Sequence, residues 1–117
     1  SPTTLAYTHH LTGTAFSGGV EEIAAAILPC SWGYSEIGKM LEHRGLPTDS
    51  PLYARWIEMY ASDEFADLAV WLRDFVDRTA SSASEDNLRR MEKAFVLSSR
   101  YEYMFWDAAY LKEKWPV

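Results

Sequence analysis

Cys30 is the residue of this chain whose type most directly suggests covalent chemistry. It is the only cysteine among 117 residues, and it follows a proline in the segment AAAILPCSWGYSEIG. Pro29 lacks an N–H group and its ring crowds the preceding helical turn, so we expect it to disturb the helix beside the thiol. A thiol in this position is either an inert core residue or a nucleophile, and both interpretations are open at this point.

Glu102 is the second candidate, because it interrupts an apolar stripe. The stripe, with spacings of three and four residues, comprises Leu88, Met91, Phe95, Ser98, Glu102, Phe105 and Ala109. Such spacing places Glu102 on the apolar face of a helix. A buried carboxylate is costly unless it is paired, hydrogen-bonded or protonated. Glu102 is therefore a candidate for proton transfer.

Tyrosines accompany both candidates on faces predicted to be apolar. Cys30 and Tyr34 share one stripe, one helical turn apart; its members are Ile23, Ile27, Cys30, Tyr34, Ile37 and Leu41. We therefore expect Cys30 and Tyr34 to point into the same interior. Tyr7, Tyr53 and Tyr60 are further candidates. These tyrosines are either core residues with satisfied hydroxyls or the lining of a pocket for a flat ligand.

The three histidines, His9, His10 and His43, do not form a recognisable metal motif. No acid lies three residues before any of them, so the sequence contains no Glu-x-x-His motif of the di-iron type. It also contains no zinc spacing and no glycine-rich phosphate loop. We expect surface or capping histidines and no metal site; haem ligation by a histidine is the open alternative.

Five helices, and no strands, are predicted to position these residues. Their predicted ranges are 3–17, 20–44, 52–61, 63–80 and, from a capping box of Ser82 and Glu85, a last helix to about Lys114. Ser50 before Pro51, and Ser62, are the expected N-caps of the third and fourth helices. The sequence therefore predicts a single all-α domain, a helical bundle over residues 1–117.

Composition narrows the functional class. The net charge is −6, and the basic residues are scattered among acids, so we expect no nucleic-acid partner. No apolar run is long enough to span a bilayer, so we expect no membrane partner. A single cysteine excludes an intramolecular disulfide and fits a reducing compartment, so we expect a cytoplasmic location.

Three segments together resemble the TenA/thiaminase II family, in its cysteine-containing branch. They are LPCSWGYSEIG around Cys30, YARWIEMYASDEF from Tyr53, and SSRYEYMFWDAAY from Ser98. The resemblance covers all 117 residues but only as the C-terminal half of the family's chain, so the N-terminal half is expected to be absent. It implies a haem-oxygenase-like helical fold, usually assembled as a homotetramer.

The resemblance also implies an activity in thiamin salvage. The aminopyrimidine 4-amino-5-aminomethyl-2-methylpyrimidine is hydrolysed to the hydroxymethyl compound and ammonia, with thiamin as a second substrate. Residue by residue, the resemblance makes Cys30 the nucleophile and Glu102 the catalytic glutamate, and it makes Tyr7, Tyr34 and Tyr60 pocket residues. A thiolate from Cys30 would add to the pyrimidine ring, and no metal or organic cofactor is implied.

One departure from the family leaves a second function open. The acidic residue that grips the pyrimidine lies in the family's N-terminal half, and a pocket without it loses orientation of the substrate. The alternative is a non-catalytic helical module that binds a pyrimidine or assembles with other chains. Exposed apolar faces would favour association with the missing N-terminal half or with further copies of this chain.

Overall fold

The computed structural model describes all 117 residues, and it confirms the prediction of an all-helical chain. The helices are α1 (Pro2–Ser17), α2 (Val20–Arg44), α3 (Pro51–Ala61), α4 (Asp63–Ser81) and α5 (Glu85–Tyr110). Each of the first four lies within one residue of its predicted bounds. The reason is local: α1 and α3 begin at prolines, and Ser62 accepts the Phe65 N–H at the start of α4.

Both predicted ends of α5 are wrong. Its N-cap is Ser84, whose hydroxyl accepts the Asn87 N–H, whereas Ser82 ends α4. The helix stops at Tyr110 because Lys112 adopts the left-handed conformation, with φ of 53°. The Glu113 N–H then bonds back to the Ala108 carbonyl at 2.8 Å, the pattern of a Schellman ending.

Helix α2 is the centre of the fold, because it contacts all four other helices. Its Ala24 and Leu28 pack with Leu72 of α4, and Trp32 and Phe95 cover that cluster. Helix α1 packs on α2 and α5, and α3 packs on α2 and α4, with one ring contact from Trp56 of α3 to Trp106 of α5. The residues on α1 and α3 are therefore brought to a common site by α2 and α5 rather than by each other.

A glycine sets the separation of α2 from α3. A Cβ atom added at Gly38 would lie 2.6 Å from the Tyr60 carbonyl carbon and 2.8 Å from the Ala61 nitrogen. Both are backbone atoms, so only glycine allows the two helices to approach this closely. The contact fixes the position of Tyr60 beside α2.

The end of the chain holds the start of α1 against α5. The Glu113 carboxylate accepts the Thr3 N–H at 3.1 Å and the Thr3 hydroxyl at 3.0 Å. These bonds lower the pKa of Glu113, the backbone bond being the larger cause. They anchor the helix that carries Tyr7.

The molecule is a thin slab with a large surface. It measures 51 × 43 × 18 Å, and its radius of gyration is 16.1 Å, against about 13 Å for a compact domain of this length. Its accessible surface is 8131 Å², against about 6,500 Å² for a folded monomer of this size. Many large apolar side chains are accordingly exposed, among them Phe16, Leu52 and Tyr110. None of its helices combines the length and apolar character that a membrane span requires.

Candidate active site

Three helices bring a tyrosine, a carboxylate and the thiol together. Tyr7 of α1 donates its hydroxyl hydrogen to Glu102 Oε1 of α5 over 2.6 Å. Glu102 is half-buried, as its place on the apolar face of α5 predicts. The hydrogen bond from Tyr7 offsets the free-energy cost of burying its carboxylate. Cys30 of α2 lies close enough to Glu102 for the carboxylate to act on its pKa. We refer to Tyr7, Cys30 and Glu102 as the proton cluster.

Tyr7 remains a hydrogen-bond donor over the whole physiological pH range. Burial raises the pKa of its phenol, and both the hydrogen bond to Glu102 and the charge of that carboxylate raise it further. A phenol with a raised pKa keeps its hydrogen, so it stabilises an ionised carboxylate rather than competing with it for a proton. The hydrogen bond therefore gives the Glu102 carboxylate a lasting partner.

The structure places Cys30 differently from the apolar-stripe prediction. Cys30 is exposed, and Ile27 of the same stripe is 40% exposed. The buried face of α2 is instead formed mainly by small residues: Ala24, Ala25, Ala26, Leu28, Ser35 and Gly38. Small side chains let the neighbouring helices pack closely against that face. The stripe that contains Ile27 and Cys30 therefore lies at the edge of the packed surface of α2. The thiol is therefore accessible to a ligand.

The environment of Cys30 favours the thiol over the thiolate. Protein atoms around the sulfur exclude part of its hydration, and the Glu102 carboxylate adds its charge and a hydrogen-bond acceptor. Together they raise the pKa of Cys30 to about 11. The thiol is therefore protonated near pH 7, and it can become a nucleophile only if a base removes the proton. Glu102 is the carboxylate in position to do so.

Tyr34 and Tyr60 lie on an adjoining surface, the aromatic wall. Its members are Tyr34, Leu52, Tyr53, Trp56, Tyr60, Phe105 and Trp106, which line an open concavity of about 560 Å³. The Tyr34 ring centroid is 5.1 Å from that of Tyr60 and 5.9 Å from that of Trp106. Burial, followed by the charge of Glu102, raises the pKa of Tyr34 to about 12. Tyr34 thus joins the wall to the proton cluster.

The aromatic wall is open to solvent on one side. Leu52 is 78% exposed, Tyr53 47% and Trp106 43%. The hydroxyls of Tyr34 and Tyr60 donate to no group of the protein, whereas the Tyr7 hydroxyl does. The wall can stack against a flat ring, and its hydroxyls are free to bond to polar atoms of that ring.

Sequence reasoning missed two residues next to the proton cluster. His10 Nε2 lies 2.9 Å from the Ser98 hydroxyl oxygen, and Ser98 is completely buried. His10 was expected to be a surface or capping residue; it is half-buried, whereas His9 and His43 are exposed. The available signal was the spacing: His10 follows Tyr7 by one turn, and Ser98 precedes Glu102 by one turn. The His, Cys, Asp and Glu side chains form no group of three or more that could hold a metal ion.

Comparison with known proteins gives consistent matches along nearly the whole chain. Residues 1–112 match the model of the TENA/THI-4/PQQC family. An aminopyrimidine aminohydrolase of Halalkalibacterium halodurans is 44% identical over 115 residues, which are 97% of this chain and 50% of that protein. The aminopyrimidine aminohydrolase of Bacillus subtilis is 40% identical over 98% of this chain and 48% of its own length. One from Helicobacter pylori is 33% identical over 89% of this chain and 48% of its own. The chain thus spans about half the length of the curated relatives that it matches.

Proposed function

Because the chain belongs to the TENA/THI-4/PQQC family, we propose that it is the catalytic C-terminal part of an aminopyrimidine aminohydrolase of thiamin salvage. The substrate is 4-amino-5-aminomethyl-2-methylpyrimidine, with thiamin as a second substrate. The observation that carries the proposal is the proton cluster, in which an accessible thiol lies beside a carboxylate that accepts a hydrogen bond from a tyrosine. The names of the relatives supply the substrate class.

Covalent catalysis starts with the transfer of the Cys30 proton to Glu102. The sulfur forms a bond to an electron-poor carbon of the pyrimidine ring, and the displaced π pair moves onto a ring nitrogen. That electron pair then returns to expel the exocyclic amine, which leaves as ammonia with a proton from Glu102. Water adds to the exposed methylene carbon, and the carbon–sulfur bond breaks as the pyrimidine ring becomes aromatic again. The released sulfur takes the proton that the water loses, which regenerates the thiol. One water is consumed and one ammonia is released. Every step uses only Cys30, Glu102 and water, so the proposed reaction calls for no metal or organic cofactor.

Tyr7 supports these reaction steps without forming or breaking a covalent bond. Its hydroxyl occupies Oε1 of Glu102, so the other carboxylate oxygen is left for the thiol proton. A base fixed in this way is pre-oriented for proton transfer. The raised pKa of Cys30 is consistent with a nucleophile that is activated on demand rather than stored as a thiolate.

The aromatic wall is the proposed seat of the pyrimidine ring. Stacking on Tyr34 and Tyr60 would present one ring face to Cys30, since Tyr34 and Cys30 are one turn apart on α2. The wall supplies apolar area and free hydroxyls but no acidic side chain. We propose that the acid which grips the amino group of the pyrimidine comes from the N-terminal half of the family's chain.

The open surface supports association with further helices. The excess of accessible surface over a compact monomer is about 1,600 Å², the area that one side of a large permanent interface buries. We propose that the N-terminal half covers the aromatic wall and completes a haem-oxygenase-like domain. We also propose that such domains form a homotetramer in the cytoplasm.

Hydrolysis tests the assignment of the site. Ammonia release from the aminopyrimidine is measured with the chain alone and with the chain mixed with an N-terminal half from a relative. We expect turnover only in the mixture, and a loss of at least about 10²-fold in Cys30→Ala and in Glu102→Gln. Glu92→Gln, an exposed position on α5, is the matched control and should keep full activity. Full activity in both site variants, with unchanged helical circular dichroism, would refute the assignment.

The raised pKa of Cys30 and the open wall also favour a second candidate, a non-catalytic module that binds a pyrimidine. The same experiment separates the two functions. Saturable binding of the aminopyrimidine without ammonia release, even in the mixture, would establish the binding module and exclude the hydrolase.

A further inference from the structure

A second hydrogen bond lies directly beside the bond from Tyr7 to Glu102. On α1, His10 follows Tyr7 by one turn; on α5, Ser98 precedes Glu102 by one turn. Residues three and four apart on a helix are neighbours on one face. The hydrogen bonds Tyr7–Glu102 at 2.6 Å and His10–Ser98 at 2.9 Å therefore lie side by side and join the same two helices. We call the bond between His10 and Ser98 the outer rung and the bond between Tyr7 and Glu102 the inner rung.

If the hydrogen bond between His10 and Ser98 is lost, water cannot take the place of the missing partner. Ser98 has no exposed surface, so a hydroxyl there that loses its partner gains nothing from solvent. Tyr101 packs against both rungs: its ring stacks on Tyr7 at 5.5 Å and lies 5.7 Å from the ring of His10. The rings therefore restrain where the polar atoms can point.

The directions of the hydrogen bonds are also consistent along this row. Burial lowers the pKa of His10, so its imidazole is neutral near pH 7 and one nitrogen carries hydrogen. If Nε2–H donates to the Ser98 oxygen, the Ser98 hydrogen is free to donate to the Tyr7 oxygen. Ser98 lowers the pKa of the Tyr7 phenol against the other effects, which is the direction expected of a hydroxyl that donates toward the Tyr7 oxygen. The Tyr7 hydrogen is then directed to Glu102.

We propose that His10 and Ser98 are positioning residues that fix the Tyr7 hydroxyl as a donor to Glu102. They reach the reacting atoms only through Tyr7. The geometric part of this inference stands on the two rungs; its consequence for turnover rests on the proposed function. The test is therefore a measurement that needs no turnover.

The reactivity of Cys30 reports on Glu102, because the carboxylate contributes to the raised pKa of the thiol. Cys30 is the only thiol of the chain, so iodoacetamide labelling followed by intact mass gives its rate constant without ambiguity. At pH 8, well below the pKa, the rate is proportional to the thiolate fraction. Without the Tyr7 donor, the charge on Glu102 is less compensated. We therefore expect Tyr7→Phe to slow labelling about threefold, or about half a pKa unit.

If the outer rung positions Tyr7, its loss has the same effect. Ser98→Ala and His10→Phe, which keeps the aromatic ring, should slow labelling to nearly the same extent. The double variant Tyr7→Phe/Ser98→Ala should be no slower than Tyr7→Phe. His10→Gln should restore the normal rate, because its amide nitrogen can reach the position of Nε2. Thr3→Val removes another contact between α1 and the end of α5, and should leave the rate unchanged.

Each other outcome overturns the inference. Unchanged labelling in Tyr7→Phe would show that the hydroxyl does not act on Glu102. Unchanged labelling in Ser98→Ala and His10→Phe, beside a slowed Tyr7→Phe, would show that the outer rung is not required. Equal slowing by Thr3→Val would show a general loosening of α1. Failure of the proposed function would appear separately, as hydrolysis that survives in Cys30→Ala.

Discussion

The proton cluster and the aromatic wall lie side by side, but they are completed to different degrees. In the cluster, Tyr7 and Glu102 satisfy each other at 2.6 Å, and a second rung backs them. In the wall, the rings of Tyr34 and Tyr60 touch one another, yet their hydroxyls donate to no protein group and the neighbouring Leu52 is 78% exposed. One region has its polar partners within the chain; the other presents its surface outward.

This difference separates two requirements of an enzyme. Handling a proton needs a few groups in fixed contact, and the contacts between α1, α2 and α5 provide them. Enclosing a ligand needs surface on several sides, and a slab 18 Å thick offers only one. We therefore expect changes in the cluster to alter reactivity, and changes in the wall to alter binding and stability.

The largest expected effect tests the cluster through the thiol itself. With its pKa raised to about 11 from 9.0, Cys30 carries about a hundredfold less thiolate at pH 8 than an unperturbed thiol. Iodoacetamide should therefore label the folded chain far more slowly than the chain in urea. Glu102→Gln removes the charge and should accelerate labelling of the folded chain about threefold to tenfold. Equal rates for folded and unfolded chains would contradict the electrostatic account of the cluster.

The next effect concerns the spacing that places the wall. Gly38→Ala inserts a Cβ atom 2.6 Å from the backbone of Tyr60, so α3 must move away from α2. We expect a loss of about 1–3 kcal/mol in the free energy of unfolding, measured by urea denaturation. Gly33→Ala is the matched control in the same helix, because nothing lies within 4 Å of its Cβ position; it should stabilise by up to about 1 kcal/mol. Equal effects of the two substitutions would show that the close approach is unimportant.

The smallest effect tests the wall as a binding surface. Tyr34→Leu keeps an apolar side chain but removes the ring that contacts both Tyr60 and Trp106. Loss of aromatic contacts worth about 0.5–1.5 kcal/mol should weaken aminopyrimidine binding about two- to twelvefold, by calorimetry on the assembly with the N-terminal half. Trp71→Leu, at an exposed and stacked ring of α4, is the control. Unweakened binding in Tyr34→Leu would move the pyrimidine away from the wall.

The helices were predictable because their signals are local. Pro2, Pro51 and Ser62 mark helix starts within a few residues of sequence. Where the signals compete, as among the serines at 81, 82 and 84, the sequence cannot rank them, and Ser84 rather than Ser82 is the cap. The left-handed Lys112 that ends α5 carries no signal at all, since glycine is the usual residue there.

The sequence singled out the residues of the candidate site but not the contacts between them. Cys30, Glu102 and the three tyrosines were singled out by type, stripe and resemblance. The bond from Tyr7 to Glu102 joins residues 95 positions apart, and no periodicity specifies such a pairing. Cys30 was expected inside because isoleucines dominate its stripe; the small residues of the adjoining face allow closer helix packing and form most of the buried face instead. His10 was missed for the same reason, since its partner lies 88 positions away.

The central place of α2 gives the fold an unequal resistance to opening. Helix α3 is held mainly by α2 and α4, with a single ring contact from Trp56 to Trp106 of α5, whereas α1, α2 and α5 contact one another in all three combinations. Local opening can therefore release α3 without breaking any contact between α1 and α5, and its free energy is smaller than that of global unfolding. In a hydrogen-exchange experiment, we expect the backbone amides of α3 around Tyr60 to be weakly protected. The backbone amides around Tyr7 and Glu102 should be strongly protected. The part of the aromatic wall carried by α3 can thus open locally while Tyr7 and Glu102 keep their positions relative to each other.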